Sequence, residues 1–261
     1  MRTIALLVAT AFAAIGTALS SPLLRFPRHL PARVLDVPIL LYHRVGRPPA
    51  VSGPFSAGLT VQPRVFDSQM EWLARHKFHA ISPRQLFDAL EWGRPLPPRP
   101  VLITFDDGYT DVLWHAEPIL HRLHWPATAF VITDRVSGPD PSFLDWRDLR
   151  DLERDGFTIG SHTVHHLDLP ALTPAQTWLE LSQSRDDLAD HLHAPVDWFA
   201  YPAGREDPAV VRLVRRAGYL LAFTTRPGST QSAREPFLLH RDEIGRGDGL
   251  AGFAALLHSP A

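Results

Sequence analysis

Short apolar runs alternate with stretches of helical periodicity along almost the whole chain, and this alternation restricts the fold more than any other feature. Residues 37–42, 79–81, 101–105, 127–132, 157–160, 198–201 and 219–224 each read as a strand, with a last short one at 237–239. Between them, apolar residues recur at helical spacing: Phe66, Met70, Leu73 and Ala74 predict an amphipathic helix to about residue 77. Ser82-Pro83 and Thr173-Pro174 each place a capping residue before a proline suited to the first helical position. Asp145 caps a helix running to 155 and stopped by Gly156, and a further helix covers 208–218. A helix over 112–123 is expected to kink or start late at Pro118, which lacks the N–H that a helix interior needs. Strands alternating with helices build parallel βαβ units, and some seven of them exceed a small open sheet. A closed or nearly closed barrel is expected.

The chain has 261 residues, enough for a sizeable core. With 26 basic and 28 acidic residues it offers no electrostatic reason to bind nucleic acid. Cys is absent, which excludes disulfides and thiolate ligands. Met1-Arg2, the apolar stretch from Ile4 to Ile15 and the small residues around Ala18 and Ser20 have the layout of a secretory signal peptide over residues 1–20. The apolar run is short for a full membrane span, so membrane association is expected only if the leader stays uncleaved as an anchor. A periplasmic or secreted location follows. Residues 21–36 hold Pro22, Pro27 and Pro31 and read as a linker.

Chemistry-bearing residues gather at the C-terminal ends of the expected strands, where a β/α barrel forms its site. Tyr42-His43 ends the first strand, Asp106-Asp107 the third, Ser161-His162 the fifth, Tyr201-Pro202-Ala203-Gly204 the sixth and Leu239-His240-Arg241 the last. Two adjacent carboxylates at the end of a buried strand are costly unless a metal or a proton compensates. His162 and His166 stand four apart. If that segment is one helical turn, both imidazoles face one ion and His165 faces elsewhere. Carboxylate with paired imidazoles is a ligand set for a divalent metal such as zinc. The plainer readings are an Asp-Gly turn and a His-rich loop, in a chain with 14 histidines.

Thr104-Phe105-Asp106-Asp107-Gly108, His162-Thr163-Val164-His165-His166 and Phe199-Ala200-Tyr201-Pro202-Ala203-Gly204 resemble successive motifs of the polysaccharide deacetylases, the NodB-homology, carbohydrate esterase family 4 group. The resemblance covers about residues 37–245 and leaves 246–261 as a C-terminal tail. It implies an α/β fold, a distorted (β/α)7-type barrel in a single domain; separately, a monomer is expected. The implied activity is metal-dependent hydrolysis of an acetyl group, N-acetyl above all, on an extracytoplasmic polysaccharide. Asp106 is then the base acting on a metal-activated water. Asp107, His162 and His166 hold a divalent metal: zinc, with cobalt, nickel or iron as alternatives. Tyr201, Pro202 and Ala203 form the oxyanion and substrate-binding turn, with the Ala203 N–H as donor.

Two departures stand out. Many members of the family carry Arg where this chain has Ala200. The Phe-Ala-Tyr-Pro form resembles instead the poly-N-acetylglucosamine deacetylase subgroup, which points to Arg241 as the residue that orients Asp106. The usual later Asp-Trp motif is missing, and Asp145-Trp146 reads as a helix cap. For the general acid both His240 and His43 are candidates. Trp146, Trp198 and Tyr109 lie near motif residues, with core packing the expected role of each. The competing readings are an inactive glycan-binding barrel and a metal amidase acting on a non-sugar substrate.

Overall fold

The computed structural model describes residues 33–47 and 57–258. The expected leader, and the expected linker up to residue 32, lie outside them. The strands are β1 (Val34–Asp36), β2 (Ile39–Tyr42), β3 (Arg44–Val45), β4 (Thr60–Val61), β5 (His79–Ala80), β6 (Pro100–Phe105), β7 (Ala127–Val131), β8 (Phe157–Ser161), β9 (Trp198–Ala200), β10 (Leu221–Phe223), β11 (Thr230–Ser232) and β12 (Asp242–Glu243). The α-helices are α1 (Pro63–Arg75), α2 (Pro83–Trp92), α3 (Glu117–Leu123), α4 (Trp146–Arg154), α5 (Pro174–Leu192), α6 (Pro208–Arg216) and α7 (Leu250–His258). Ser82, Asp145 and Thr173 cap α2, α4 and α5, each in a reciprocal capping box.

The main sheet runs β10-β9-β8-β7-β6-β2-β12, all neighbours parallel, and β5 pairs with the first residues of β6. It is a distorted (β/α)7-like barrel whose seam is closed by one segment. Leu239 forms a single parallel bridge to Phe223 of β10, and three residues later β12 pairs with β2. The last ladder strand is therefore Asp242–Glu243 and not the expected 237–239, because this stretch must leave one edge of the sheet to reach the other.

Both faces of the sheet are covered, which explains the near-continuous apolar runs. Outward residues such as Val101, Ile103 and Phe105 of β6 pack under the helices, while Leu102, Phe130, Ala200, Phe223 and Leu239 fill the interior. Leu86 and Leu90 of α2 join that interior cluster, and Phe87 packs edge-on against Trp198 at 6.4 Å. They close the end where the strands begin and leave the other end for chemistry. Gly160 belongs to the filled interior: a Cβ there would stand 2.5 Å from the Phe130 ring and 3.0 Å from the Trp198 carbonyl. Gly160→Ala is expected to cost about 1–3 kcal/mol by overpacking. Urea unfolding with an unchanged midpoint would contradict that packing.

Two further elements differ from expectation. Residues 112–116 wind as a π-turn and α3 begins at Glu117, with Pro118 in its first turn. The missing proline N–H is tolerated there. Residues expected as linker and tail also join the domain: β1 pairs with β11, and Phe253 of α7 is fully buried against Trp72.

Candidate active site

Strand alternation aims the key side chains. Phe105 points to the helices, so Thr104 and Asp106 point into the barrel; Leu239 and Arg241 do likewise from the seam. Asp106 and Arg241 meet there, both buried. The guanidinium gives Asp106 two parallel bonds of 2.8 and 2.7 Å, one more to Thr104 Oγ1 at 3.2 Å, and one from Nε to the Thr224 carbonyl at 2.8 Å. Such a fork is a strong, directional form of ion pair. Burial pushes the Asp106 carboxyl up, but Arg241, with His162 and His43, outweighs it and holds the group at about 2. Asp106 is therefore a carboxylate throughout the neutral range, locked in one orientation.

Asp107 would face outward if the strand continued. Its left-handed backbone (φ 74°), followed by Gly108 at φ 81°, breaks the alternation and brings the second carboxylate to the same side. Its Oδ1 lies 3.6 Å from Nε2 of both His162 and His166. His162 Nδ1 lies 2.8 Å from the Ala200 carbonyl, so it carries the proton and leaves the Nε2 lone pair free. Burial lowers the pKa of His162, which keeps the ring neutral as a ligand must be. The donor atoms of Asp107, His162 and His166 all lie within 4.8 Å of one another. Two neutral imidazoles and one carboxylate suit a divalent ion of intermediate softness, so this is a divalent-metal site.

The histidines do not converge through a helical turn. Residues 162–166 form a loop with left-handed Thr163 (φ 69°) and His166 (φ 58°). Glu180 of α5 stabilises it: one carboxylate oxygen accepts the N–H of Val164 (3.1 Å) and of His165 (2.9 Å), and the other pairs with His165 Nδ1 at 2.6 Å. His165 is thereby turned away from the ion. Glu180→Ala leaves these amides without their acceptor, at about 1–3 kcal/mol each. It is expected to weaken zinc binding roughly 10–100-fold, as loss of outer-shell partners does. Chelator competition measures this, and Glu180→Gln, which keeps an acceptor oxygen, should retain most of the affinity. Unchanged affinity in Glu180→Ala would remove the residue from the site.

The remaining candidates separate by direction. His43 follows β2 with the inward parity of Ile39, and its Nδ1 is buried without a hydrogen-bond partner among the described residues. His240 has the opposite parity to Arg241, and its Nδ1 lies 3.1 Å from where a Cβ on Gly228 would stand. Tyr201 also faces outward: its hydroxyl donates to the Phe237 carbonyl and its N–H to Phe223. In the turn Pro202–Gly204, the Gly204 and Arg205 amides bond to Tyr201 and Pro202, which leaves the exposed Ala203 N–H as the turn's remaining donor. The turn presses on its neighbour, since a Cβ on Gly204 (φ 65°) would meet Thr225 Oγ1 at 2.1 Å. Trp198 is core, and Trp146 stacks on His191. Tyr109 is more than packing. Burial and then the nearby Asp107 charge push its hydroxyl up to about 12, and its ring lies under the guanidinium of Arg44, which itself pairs with Asp111 at 2.6 Å. Its place two residues after Asp107 was the available sequence signal. Arg44 and Glu180 had none.

A buried, oriented carboxylate beside a His-His-Asp metal site, at the open end of a parallel barrel, defines a metal-dependent hydrolase. The family description "Polysaccharide deacetylase" matches residues 93–222. YxkH of Bacillus subtilis (strain 168), a polysaccharide deacetylase by designation, is 30% identical over 223 residues, covering 85% of this chain and 76% of its own. The poly-beta-1,6-N-acetyl-D-glucosamine N-deacetylase of Staphylococcus aureus (strain MSSA476) is 26% identical over 171 residues, covering 61% of this chain and 59% of its own. The structure of Streptococcus pyogenes deacetylase PplD in complex with acetate superposes with a TM-score of 0.78 at 27% identity, over 87% of this chain and 100% of that one. The chain belongs to the polysaccharide deacetylase family. Its site is that of a metal-dependent deacetylase acting on an acetylated polysaccharide.

Proposed function

We propose that the chain removes N-acetyl groups from a β-linked N-acetylglucosamine polymer outside the cytoplasm, with zinc held by Asp107, His162 and His166. Likeness to the staphylococcal enzyme supports the polymer class, and the leader-like residues 1–20, outside the described residues, support the location. A bound divalent ion supplies a Lewis acid for the acetyl carbonyl and acidifies the water beside it. Asp106, whose Oδ2 lies 3.8 Å from His162 Nε2, takes the proton of that water as its oxygen attacks the carbonyl carbon. Arg241 keeps both Asp106 oxygens in place through the step. The Ala203 N–H donates to the oxygen that gains charge. As the C–N bond breaks, His43 gives a proton to the leaving nitrogen, and acetate and a free amine result.

The observation that carries this reading is the Arg241–Asp106 fork set against the Asp107–His162–His166 cluster. The test is acetate release from N-acetylglucosamine oligomers of β-1,4 and β-1,6 linkage, with zinc or cobalt added. Asp106→Asn is expected to lower kcat/KM about 10²–10⁴-fold with zinc stoichiometry unchanged. His43→Ala is expected to do similar damage, and His240→Ala to leave the rate within a few-fold. Stoichiometric zinc without acetate release from either linkage would reject the substrate. A severe loss in His240→Ala alone would move the acid role there.

A further inference from the structure

A second group of metal-ligating side chains lies away from the active site, at the end of the barrel where β7 and β8 begin. Glu117 and His121 stand four apart on α3, so they share one helix face. Asp155 caps the C-terminus of α4 and faces them across the gap between the two helices. One donor atom from each lies within 4.8 Å of the other two. None of the three side chains has a hydrogen bond or ion pair recorded among the described residues. Arg154, the nearby cation, is instead engaged with Asp151 at 2.7 Å. The acidic pair is uncompensated: partial burial and then the neighbouring Asp155 raise the pKa of Glu117, against the influence of His121. Beside the cluster lies a cavity of about 330 Å³ lined by His121, Asp155 and His124, whose ring is 6.4 Å from that of His121. The cavity has room for an ion with its water, and His124 adds a further imidazole to its wall.

We propose that Glu117, His121 and Asp155 form a second divalent-cation site, which takes zinc or a similar imidazole-seeking ion and clamps α3 to the end of α4. The imidazole of His121 favours zinc, nickel or copper, whereas carboxylates alone would suit calcium or magnesium. The ion would relieve the repulsion between Glu117 and Asp155 and link two helices that flank β7. Because an ion bound only to the folded chain stabilises it by mass action, the site makes thermal stability depend on zinc independently of catalysis.

The test is zinc titration of the chelator-stripped full chain, read by competition with a chromophoric chelator and by thermal unfolding. The wild type should bind two ions per chain. His121→Ala, at the surface, and Asp155→Asn, half-buried, should each bind one and keep full deacetylase activity. In His162→Ala, zinc should still raise Tm, and adding His121→Ala should abolish that rise. A single ion in the wild type that His121→Ala leaves bound, or an unchanged second ion in both His121→Ala and Asp155→Asn, would overturn the proposal. Two ions retained in His162→Ala would count instead against the active-site reading and leave this one standing.

Discussion

Arg241→Ala is expected to lower the unfolding free energy by about 3–5 kcal/mol and to abolish deacetylation. The substitution leaves the Asp106 carboxylate buried without its partner, which is the costly way to break a buried pair. It also frees Asp106 to rotate, so the base no longer addresses the water. The cost should depend on pH, and its sign follows from linkage. In the wild type the carboxyl is held at about 2 against an ordinary 3.8, so the pair stabilises the fold above the ordinary value, and that contribution is lost as the pH falls through about 2. Without Arg241, burial dominates and raises the carboxyl, so the variant's deficit should shrink as the pH is lowered and Asp106 takes a proton. Urea unfolding at neutral and mildly acidic pH measures this. A deficit that does not change with pH would mean that lost packing, and not the stranded charge, sets the cost. Arg241→Met combined with Asp106→Asn should recover much of the stability and none of the activity, because uncharged groups of similar volume then fill the space.

His162→Ala should empty the active-site metal position and reduce acetate release to background, a loss of at least about a thousandfold if the ion supplies several kcal/mol of charge stabilisation. Two contributions vanish together: the Nε2 donor and the bond that fixes the ring on the Ala200 carbonyl. His166→Ala removes a ligand from a more exposed place and should act in the same direction. His165→Ala is the discriminating control. Its ring is bound to Glu180, so metal affinity should stay within a few-fold apart from any loosening of the loop. Zinc affinity and acetate release, measured on the three variants side by side, decide the matter. Equal damage in His165→Ala and His166→Ala would reject this ligand set.

Much of this was legible in the sequence for a physical reason: local periodicity and capping are local properties. The capped starts at Ser82, Asp145 and Thr173, the late start forced by Pro118, and the apolar strands ending in polar clusters all depend on near neighbours. Side-chain direction within a strand also has a simple period, so Asp106 faces inward once β6 is placed. His166 shows where local reasoning ran out. The i,i+4 spacing suggested a helical turn, but the loop reaches the same convergence through two left-handed residues and the support of Glu180.

The sequence by itself determined the parallel βα architecture, the open end of the barrel that carries the chemistry, and the residue types able to hold a metal, because patterning and side-chain chemistry are written residue by residue. Only the tertiary structure decided that Arg241 reaches Asp106 across 135 positions, that Glu180 holds the His loop, and that His43 turns inward while His240 turns away. Those outcomes depend on where the seam segment bridges β10 and then joins β2. A one-residue slip there would exchange the faces of His240 and Arg241, and the register is set by partners far away in the chain.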